Sequence, residues 1–190
     1  MKSIFCLIIA GFFSIIVLAQ NKKDHAFDFH SVNSISLVNG NNGTSAAIQT
    51  VNGFSKEKWF AGIGAGIDYY QYRSVPVFAD VRYEVGKKKN RFFVYTDAGI
   101  NCSWVAEVYK DWDWNSSSDF SNGLYTDSGV GLNAHFKNGN AFVISLGYSH
   151  KAIKETTERI VWISGSQQQT VTEINNYRFN RTMVKLGFRF

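Results

Sequence analysis

The chain has very little proline and cysteine and, beyond its first residues, no long apolar run. Of its 190 residues one is Pro and two are Cys, whereas 16 are Gly and 16% are aromatic. This composition excludes proline-rich linkers, and a hydrophobic content of 45% excludes an intrinsically disordered chain. Cys6 lies in the N-terminal apolar run, so its removal with that segment would leave only Cys102. We therefore expect no intrachain disulfide.

The N-terminal run has the features of a secretory signal. Lys2 supplies a positive charge, residues Ile4 to Leu18 are mostly apolar, and Val17-Leu18-Ala19 provides a small-residue cleavage site. The run holds about 15 residues, fewer than the roughly 20 that a transmembrane helix needs. We predict a signal peptide at residues 1–19 and a single mature domain at 20–190.

Basic residues outnumber acidic ones, but without the pattern of a nucleic-acid-binding protein. The chain has 20 Lys and Arg and 15 Asp and Glu, so removal of Lys2 leaves 19 against 15, a net charge of +4. The basic residues are scattered except for the run Lys87-Lys88-Lys89, which indicates a solvated turn. No zinc-finger, helix-turn-helix or arginine-rich motif is present, and we expect no nucleic-acid partner.

Apolar and polar residues alternate along short segments, which indicates β-strands. In residues 75–85 one face carries Val, Ala and Tyr, and the other carries Phe78, Asp80, Arg82 and Glu84. The same alternation recurs at 59–70, 92–101, 127–136, 141–149 and 184–190, and more weakly at 31–38 and 45–53. The segment 45–53 is the least regular, because its apolar residues do not keep to one face. Together these segments predict eight strands.

The connections between these strands separate into short and long ones. Polar turns at 55–58, 86–90 and 137–140 follow strands two, four and six, whereas long stretches at 106–122 and 153–176 follow strands five and seven. Transmembrane barrels have short periplasmic turns and longer outer loops. The chain is therefore predicted to be all-β, an eight-stranded antiparallel up-and-down transmembrane β-barrel with both termini on the periplasmic side.

Aromatic residues support this orientation, because they fall at the strand ends. Those nearest the short turns are Trp59, Tyr83, Phe92, Phe136, Phe142, Phe188 and Phe190, and those at the opposite ends are Tyr69, Trp104 and Tyr148. Two aromatic girdles are the expected pattern at the two membrane interfaces.

The chain resembles the small outer-membrane β-barrels of Gram-negative bacteria, of the OmpX/OmpA type. The likeness rests on GIGAGIDYY at 62–70, VPVFADVRYEV at 75–85, FFVYTDAGIN at 92–101 and MVKLGFRF at 183–190. It implies a position in the outer membrane, contact with its lipid and lipopolysaccharide, and insertion by the barrel-assembly machinery. Phe188 and Phe190 would form the C-terminal assembly signal. It implies no particular activity, since members include adhesins, invasion factors and lipid enzymes.

Charged residues fall on the inward face of the predicted strands. They are Asp68, Asp80, Arg82, Glu84, Asp97, Asp127, His135, Lys185 and Arg189. They could form a proton path or an ion-selective constriction, or a network of ion pairs that fills the lumen. Eight strands leave an interior that side chains just fill, and a mixed-sign network can satisfy itself there, so we favour the filled lumen.

The remaining motifs do not indicate an enzyme or a cofactor site. The run Gly62-Ile63-Gly64-Ala65-Gly66 is followed by Ile67, where a dinucleotide-binding loop needs its third glycine. We therefore interpret these glycines as inward residues that leave room for large neighbouring side chains. Ser149 and His150 are faintly similar to the lipid A deacylases of this fold, but adjacent strand residues point to opposite faces. The four histidines are too dispersed for a metal site. We expect no catalytic residues, cofactor or metal.

The long loops carry the most informative exposed residues. Asp111-Trp112-Asp113-Trp114 suggests either a binding surface or an anchor in the lipid headgroups, and the sequence leaves both open. Residues 159–163, which include Trp162, and residues 170–174 predict a hairpin that continues strands seven and eight beyond the membrane. The leading hypothesis is a non-enzymatic surface protein that contacts an extracellular ligand through these loops. The alternatives are a narrow channel for ions or small solutes and a soluble lipocalin-type carrier.

Overall fold

The described residues form nine antiparallel β-strands, eight of which contain the alternating segments. The structure, a computed structural model, describes residues 27–86, 90–106, 116–137, 139–164 and 167–190. The strands are β1 (Asp28–Gly40), β2 (Gly43–Lys56), β3 (Trp59–Asp68), β4 (Ser74–Val85), β5 (Asn90–Ser103), β6 (Ser116–Ser121), β7 (Gly123–His135), β8 (Ala141–Ser164) and β9 (Gln167–Arg189). Across the described residues no helix has the length and apolarity that a membrane crossing requires. The predicted signal peptide at 1–19 lies outside the described residues.

Eight of these strands close into a ring. Each of β1 to β4 pairs with the next strand, β5 pairs with β7, β7 with β8 and β8 with β9, and β9 returns to pair with β1 through Val32↔Arg189 to Gly40↔Arg181. Closure leaves no unpaired edge within the ring, which is the condition for a sheet to span a membrane. The predicted eight-stranded barrel is confirmed.

The ninth strand, β6, lies within the segment 106–122 that the sequence predicts as a loop. Among the described residues its one partner is β8, from Ser116↔Arg159 to Ser121↔Lys154, beyond the point where β7 begins. Four of its six residues are Ser and only Phe120 is apolar, so no hydrophobic alternation signals a strand. Its conformation instead depends on pairing with β8, where the Ser118 and Thr157 hydroxyls are 2.8 Å apart.

The barrel is apolar outside, and its interior holds charged and polar side chains beside a cluster of aromatic and aliphatic ones. Outward side chains such as Ile63, at 67% exposed, and Phe92, at 68%, alternate with buried inward ones. On β4 the inward residues Asp80 and Glu84 are buried while Val81 and Val85 are exposed. This polarity is the reverse of that in a soluble carrier, and it matches a sheet whose outer face contacts lipid.

Aromatic side chains border the apolar face at the barrel end that carries the turns after β2, β4 and β7, here called the short-turn end. Trp59 and Tyr83 lie 4.8 Å apart between ring centroids, and Phe136 and Phe188 lie 5.9 Å apart. Tyr69, Trp104 and Tyr148 are exposed near the opposite end, here called the loop end.

Inward glycines accommodate large neighbours, as the sequence predicts. A Cβ added at Gly64 would overlap the Phe78 ring, and one at Gly131 would overlap the ring of Phe93. The glycine run at 62–66 therefore lies within the strand β3 and serves its packing, and it does not form a nucleotide-binding loop.

One strand limit differs from the expected one, and the predicted extension of two other strands is confirmed. The strand β3 ends at Asp68, so Tyr69 and Tyr70 start a loop. The strands β8 and β9 remain paired to Ser164↔Gln167, with one register shift after Trp162, which confirms the predicted hairpin beyond the barrel.

Candidate functional site: the barrel interior and the loop end

Three aspartates lie side by side at the middle of the interior. Asp80, Asp97 and Asp127 face one another in register on β4, β5 and β7, and each is at most 1% exposed. Like charges in directly opposite positions destabilise a sheet unless cations lie between them. Arg82 forms a bidentate contact with Asp80, at 2.7 and 2.9 Å, and the Lys185 ammonium lies 2.5 Å from Asp127 and 3.4 Å from Asp97.

Polar and aromatic side chains fill the space around these charges. The Tyr95 hydroxyl donates to Asp127 over 3.2 Å, and the Gln49 amide donates to the Tyr125 hydroxyl over 2.7 Å. The Lys185 ammonium lies 4.7 Å from the Tyr95 ring centroid. A cavity of ≈ 10 Å³ remains, lined in part by Gln49, Arg82, Tyr95 and Lys185. It has room for about one water molecule.

A second group of charges occupies the interior at the short-turn end. Glu84 accepts from Arg189 at 2.5 Å, from Arg91 at 2.9 Å and from the Asn133 amide at 2.9 Å. Arg189 also lies 5.8 Å from the Phe60 ring centroid. The single carboxylate is thus bound by two guanidinium groups and one amide.

A third group of charges lies inside the loop end, and of its members only Asp68 belongs to the inward charges predicted from sequence. Asp68 forms an ion pair with Arg181, and the Lys151 ammonium lies 3.5 Å from the same carboxylate. Arg181 also donates to the Ser149 hydroxyl over 2.9 Å. Lys151 and Arg181 have the inward parity of β8 and β9, so extending those two strands by a few residues in sequence would have identified them.

A loop of residues 69–73, between β3 and β4, closes this end of the barrel. The Lys151 ammonium donates to the backbone carbonyls of Tyr70, at 2.9 Å, and of Tyr72, at 2.7 Å. The centroid of the Tyr72 ring lies 5.1 Å from that of Phe120 and 5.5 Å from that of Tyr177. The loop therefore covers the buried ions with aromatic rings.

Contacts at both ends of this loop fix its position. The Tyr70 hydroxyl accepts from the Asn42 backbone amide over 2.9 Å, and the Gln71 side chain donates to the Asn42 carbonyl over 2.9 Å. Gln71 has φ 57°, a left-handed conformation that is rare outside glycine. The Arg73 guanidinium lies 3.8 Å from the Trp104 ring centroid. The two contacts with Asn42 join the loop to the β1–β2 turn.

Beyond the ring, β6, β8 and β9 form a three-stranded sheet, here called the extension. It comprises β6, β8 from Ala152 and β9 as far as Asn180, because ring pairing ends at Lys151 and Arg181. The Tyr177 hydroxyl donates to Glu155 over 2.7 Å, and this hydrogen bond together with burial raises the pKa of the Tyr177 phenol. That hydroxyl therefore stays protonated at physiological pH.

The other predicted site residues fall in four places. His135 is half-buried on the inward side of β7, and Trp162 is 56% exposed in the extension. The ring centroids of Phe188 and Phe190 lie 4.9 Å apart. The Phe190 backbone amide donates to the Ser31 carbonyl over 2.9 Å. The four loop residues Asp111, Trp112, Asp113 and Trp114 lie outside the described residues.

Ser149 and His150 do not form a catalytic pair. Ser149 contacts Arg181 inside the barrel, whereas the His150 ring lies 2.8 Å from the Asn180 side chain on the outside. Their opposite directions follow from their adjacent positions on one strand.

Comparison with solved structures identifies the fold. The outer-membrane protein AlkL, determined by solid-state NMR in DMPC bilayers, matches with a TM-score of 0.51 and 13% identity over 90% of this chain and 93% of AlkL. The chain has the fold of the small outer-membrane β-barrels. The N-terminal barrel domain of OprF from Pseudomonas aeruginosa also matches this barrel, with a TM-score of 0.45 and 10% identity over 85% of the chain and 97% of that domain. No protein-family model and no curated protein matches the barrel's sequence significantly.

Proposed function

We propose that this chain is an outer-membrane surface protein that contacts external ligands through its extension, and that its barrel does not conduct. The observation that carries the proposal is the continuation of β8 and β9 as paired strands from the ring to Ser164 and Gln167. The 13 residues of β8 beyond Lys151 would reach about 40 Å at roughly 3.3 Å per residue.

The apolar outer face supports the membrane location. Exposed apolar side chains surround the barrel, whereas charged side chains near the middle of the ring strands, such as Asp80 and Lys185, lie inside in ion pairs. The lipocalin-type alternative needs the opposite arrangement, with charges in water and apolar residues around an internal ligand.

The filled interior argues against the channel alternative. The three groups of charges lie one above another, the cavity among the central ones has room for about one water, and residues 69–73 cover the loop end. We expect no steady conductance from the purified barrel in planar bilayers. A stable open state in the unmodified chain would favour the channel instead.

The extension has the features of a contact surface. Ile160, Trp162, Ile163 and Ile174 are at least 40% exposed. Among the described residues, no strand pairs with the second edge of β9 between Gln168 and Asn180. Exposed sheet edges are usually protected by charged side chains or by Pro. From Gln167 to Asn176 this edge has one charged residue, Glu173, and no Pro, so a partner strand can pair with it.

A hairpin truncation tests the proposal while leaving β6 paired. Ile160 pairs with Thr170 and Arg159 with Val171, so replacing residues 160–170 by Asn-Gly would close a two-residue turn on the pair Arg159↔Val171. We expect unchanged heat-modifiable mobility and thermal stability in detergent, and loss of whole-cell binding to the surfaces that the cells colonise. Unchanged binding would refute a role for this hairpin.

The segment Asp111–Asn115 provides the companion experiment. Replacing it with Gly and Ser should reduce binding and leave stability unchanged if Trp112 and Trp114 contact a ligand. If the two Trp residues are lipid anchors, the replacement lowers stability or changes membrane depth and leaves binding unchanged. No change in either measurement would make this segment a simple connection.

A further inference from the structure

Exposed lysines lie in two of the described turns at the short-turn end. Lys56 and Lys58 flank Glu57 in the β2–β3 turn, and Lys137 follows β7. All three are exposed, and no carboxylate of the described residues lies within 4 Å of their ammonium groups. The sequence adds Lys87, Lys88 and Lys89, which lie outside the described residues.

Aromatic rings place two of these ammonium groups beside the outer wall of the barrel. The Lys58 ammonium lies 6.0 Å from the Tyr83 ring centroid, and Tyr83 packs on Trp59 in the aromatic girdle. The Lys56 ammonium lies 5.3 Å from the Phe27 ring centroid. Aromatic girdles mark the depth at which lipid headgroups meet water. These cations therefore lie at the level of the headgroups.

The opposite end carries no such excess of positive charge. In the extension and the loop 69–73, Lys154, Arg159, Arg178 and Arg73 stand against Asp119, Glu155, Glu158 and Glu173, so four basic and four acidic residues balance. At the short-turn end, apart from the ion-paired interior, Lys56, Lys58 and Lys137 stand against Asp28 and Glu57, which gives +1. The described short-turn end is thus the more positive of the two, and its lysines lie at the depth of one leaflet.

We propose that the short-turn end selects anionic phospholipids, with Lys56, Lys58 and Lys137 binding the phosphate groups of the adjacent leaflet. A zwitterionic headgroup carries its own cation, which offsets the attraction, whereas the headgroup of phosphatidylglycerol has a net negative charge. Each lysine near an anionic surface contributes roughly fivefold to binding, and the attraction weakens as salt is added.

The test uses the fluorescence of Trp59, which lies in the same girdle. A chain with Trp104, Trp112, Trp114 and Trp162 replaced by Phe is refolded into vesicles that contain brominated phosphatidylglycerol or brominated phosphatidylcholine. We expect the anionic lipid to quench Trp59 several-fold more effectively, and the double variant Lys56→Gln with Lys58→Gln to remove most of that preference. The matched control, Lys154→Gln with Arg178→Gln, should leave the preference unchanged.

Three outcomes would overturn the proposal. They are equal quenching by the two lipids, an unchanged preference in the Lys56→Gln, Lys58→Gln variant, and removal of the preference by inorganic phosphate but not by chloride of equal ionic strength. The last result would indicate a site for free phosphate. If the Trp-replaced chain does not fold, the unsubstituted chain with its five Trp residues is used instead. Native mass spectrometry then compares how much phosphatidylglycerol and how much phosphatidylcholine this chain retains.

Discussion

The substitution Lys185→Met tests whether the interior is closed. Lys185 is the cation within 4 Å of both Asp97 and Asp127, at 3.4 and 2.5 Å, and both carboxylates are at most 1% exposed. Met has a similar length, so the substitution removes the charge with little change in volume. Two buried carboxylates would then lose their cation.

The expected cost follows from the burial of these groups. Removing one partner of a buried ion pair destabilises a protein by about 3–5 kcal/mol, because the remaining charge is uncompensated. The Tyr95 hydroxyl still donates to Asp127, which moderates the loss for that carboxylate. We therefore expect a decrease of about 3 kcal/mol in the free energy of unfolding, more than a hundredfold in the unfolding equilibrium.

Urea unfolding in lipid vesicles measures this difference. The control is Lys154→Met, because Lys154 is exposed in the extension and its removal should cost less than about 1 kcal/mol. Adding Asp127→Asn to Lys185→Met should recover part of the loss, since one uncompensated charge is removed. If Lys185→Met costs no more than Lys154→Met, water screens the interior and the closed-barrel account is wrong.

Two further predictions concern the wall of the barrel. On the outer face, Val130→Arg near the middle of β7 should destabilise by about 2–4 kcal/mol and Phe136→Arg in the girdle by about 0–1 kcal/mol, measured by the same unfolding assay; equal tolerance would mean that this face is not in lipid. On the inner face, Gly64→Leu should prevent folding, seen as loss of heat-modifiable mobility, and Phe78→Ala should restore it, because the two atoms nearest to a Cβ at Gly64 belong to the Phe78 ring. Failure of that rescue would show that Gly64 is needed for another reason.

The barrel could be predicted from sequence because the alternation with period two is a local property of each strand. Asp80 and Lys185 could be placed inside by parity alone, before any knowledge of which strands pair. Their partners could not, because the contact of Lys185 on β9 with Asp97 on β5 depends on the closure of the ring. A period of two identifies the face of a side chain and contains no information about distance across the lumen.

The structure of the loop end could not be predicted from the alternation within single strands. The sequence extends β3 to Tyr70, but the chain leaves the strand at Asp68 and folds over the mouth, where Lys151 binds two carbonyl oxygens of the loop. These contacts are far apart in sequence and follow from the barrel geometry. The strand β6 is a similar case, since its serine-rich sequence has no apolar alternation and its extended conformation is stabilised by pairing with β8.

Protease accessibility on intact cells tests the orientation on which the proposed function depends. One recognition site is inserted at the hairpin tip between Ser164 and Gln167, and the same site is inserted in a second chain between Lys137 and Asn140, in the β7–β8 turn. We expect cleavage at the hairpin tip in intact cells, and cleavage at the β7–β8 turn only after the outer membrane is permeabilised. Cleavage of the turn but not of the tip in intact cells would contradict this orientation.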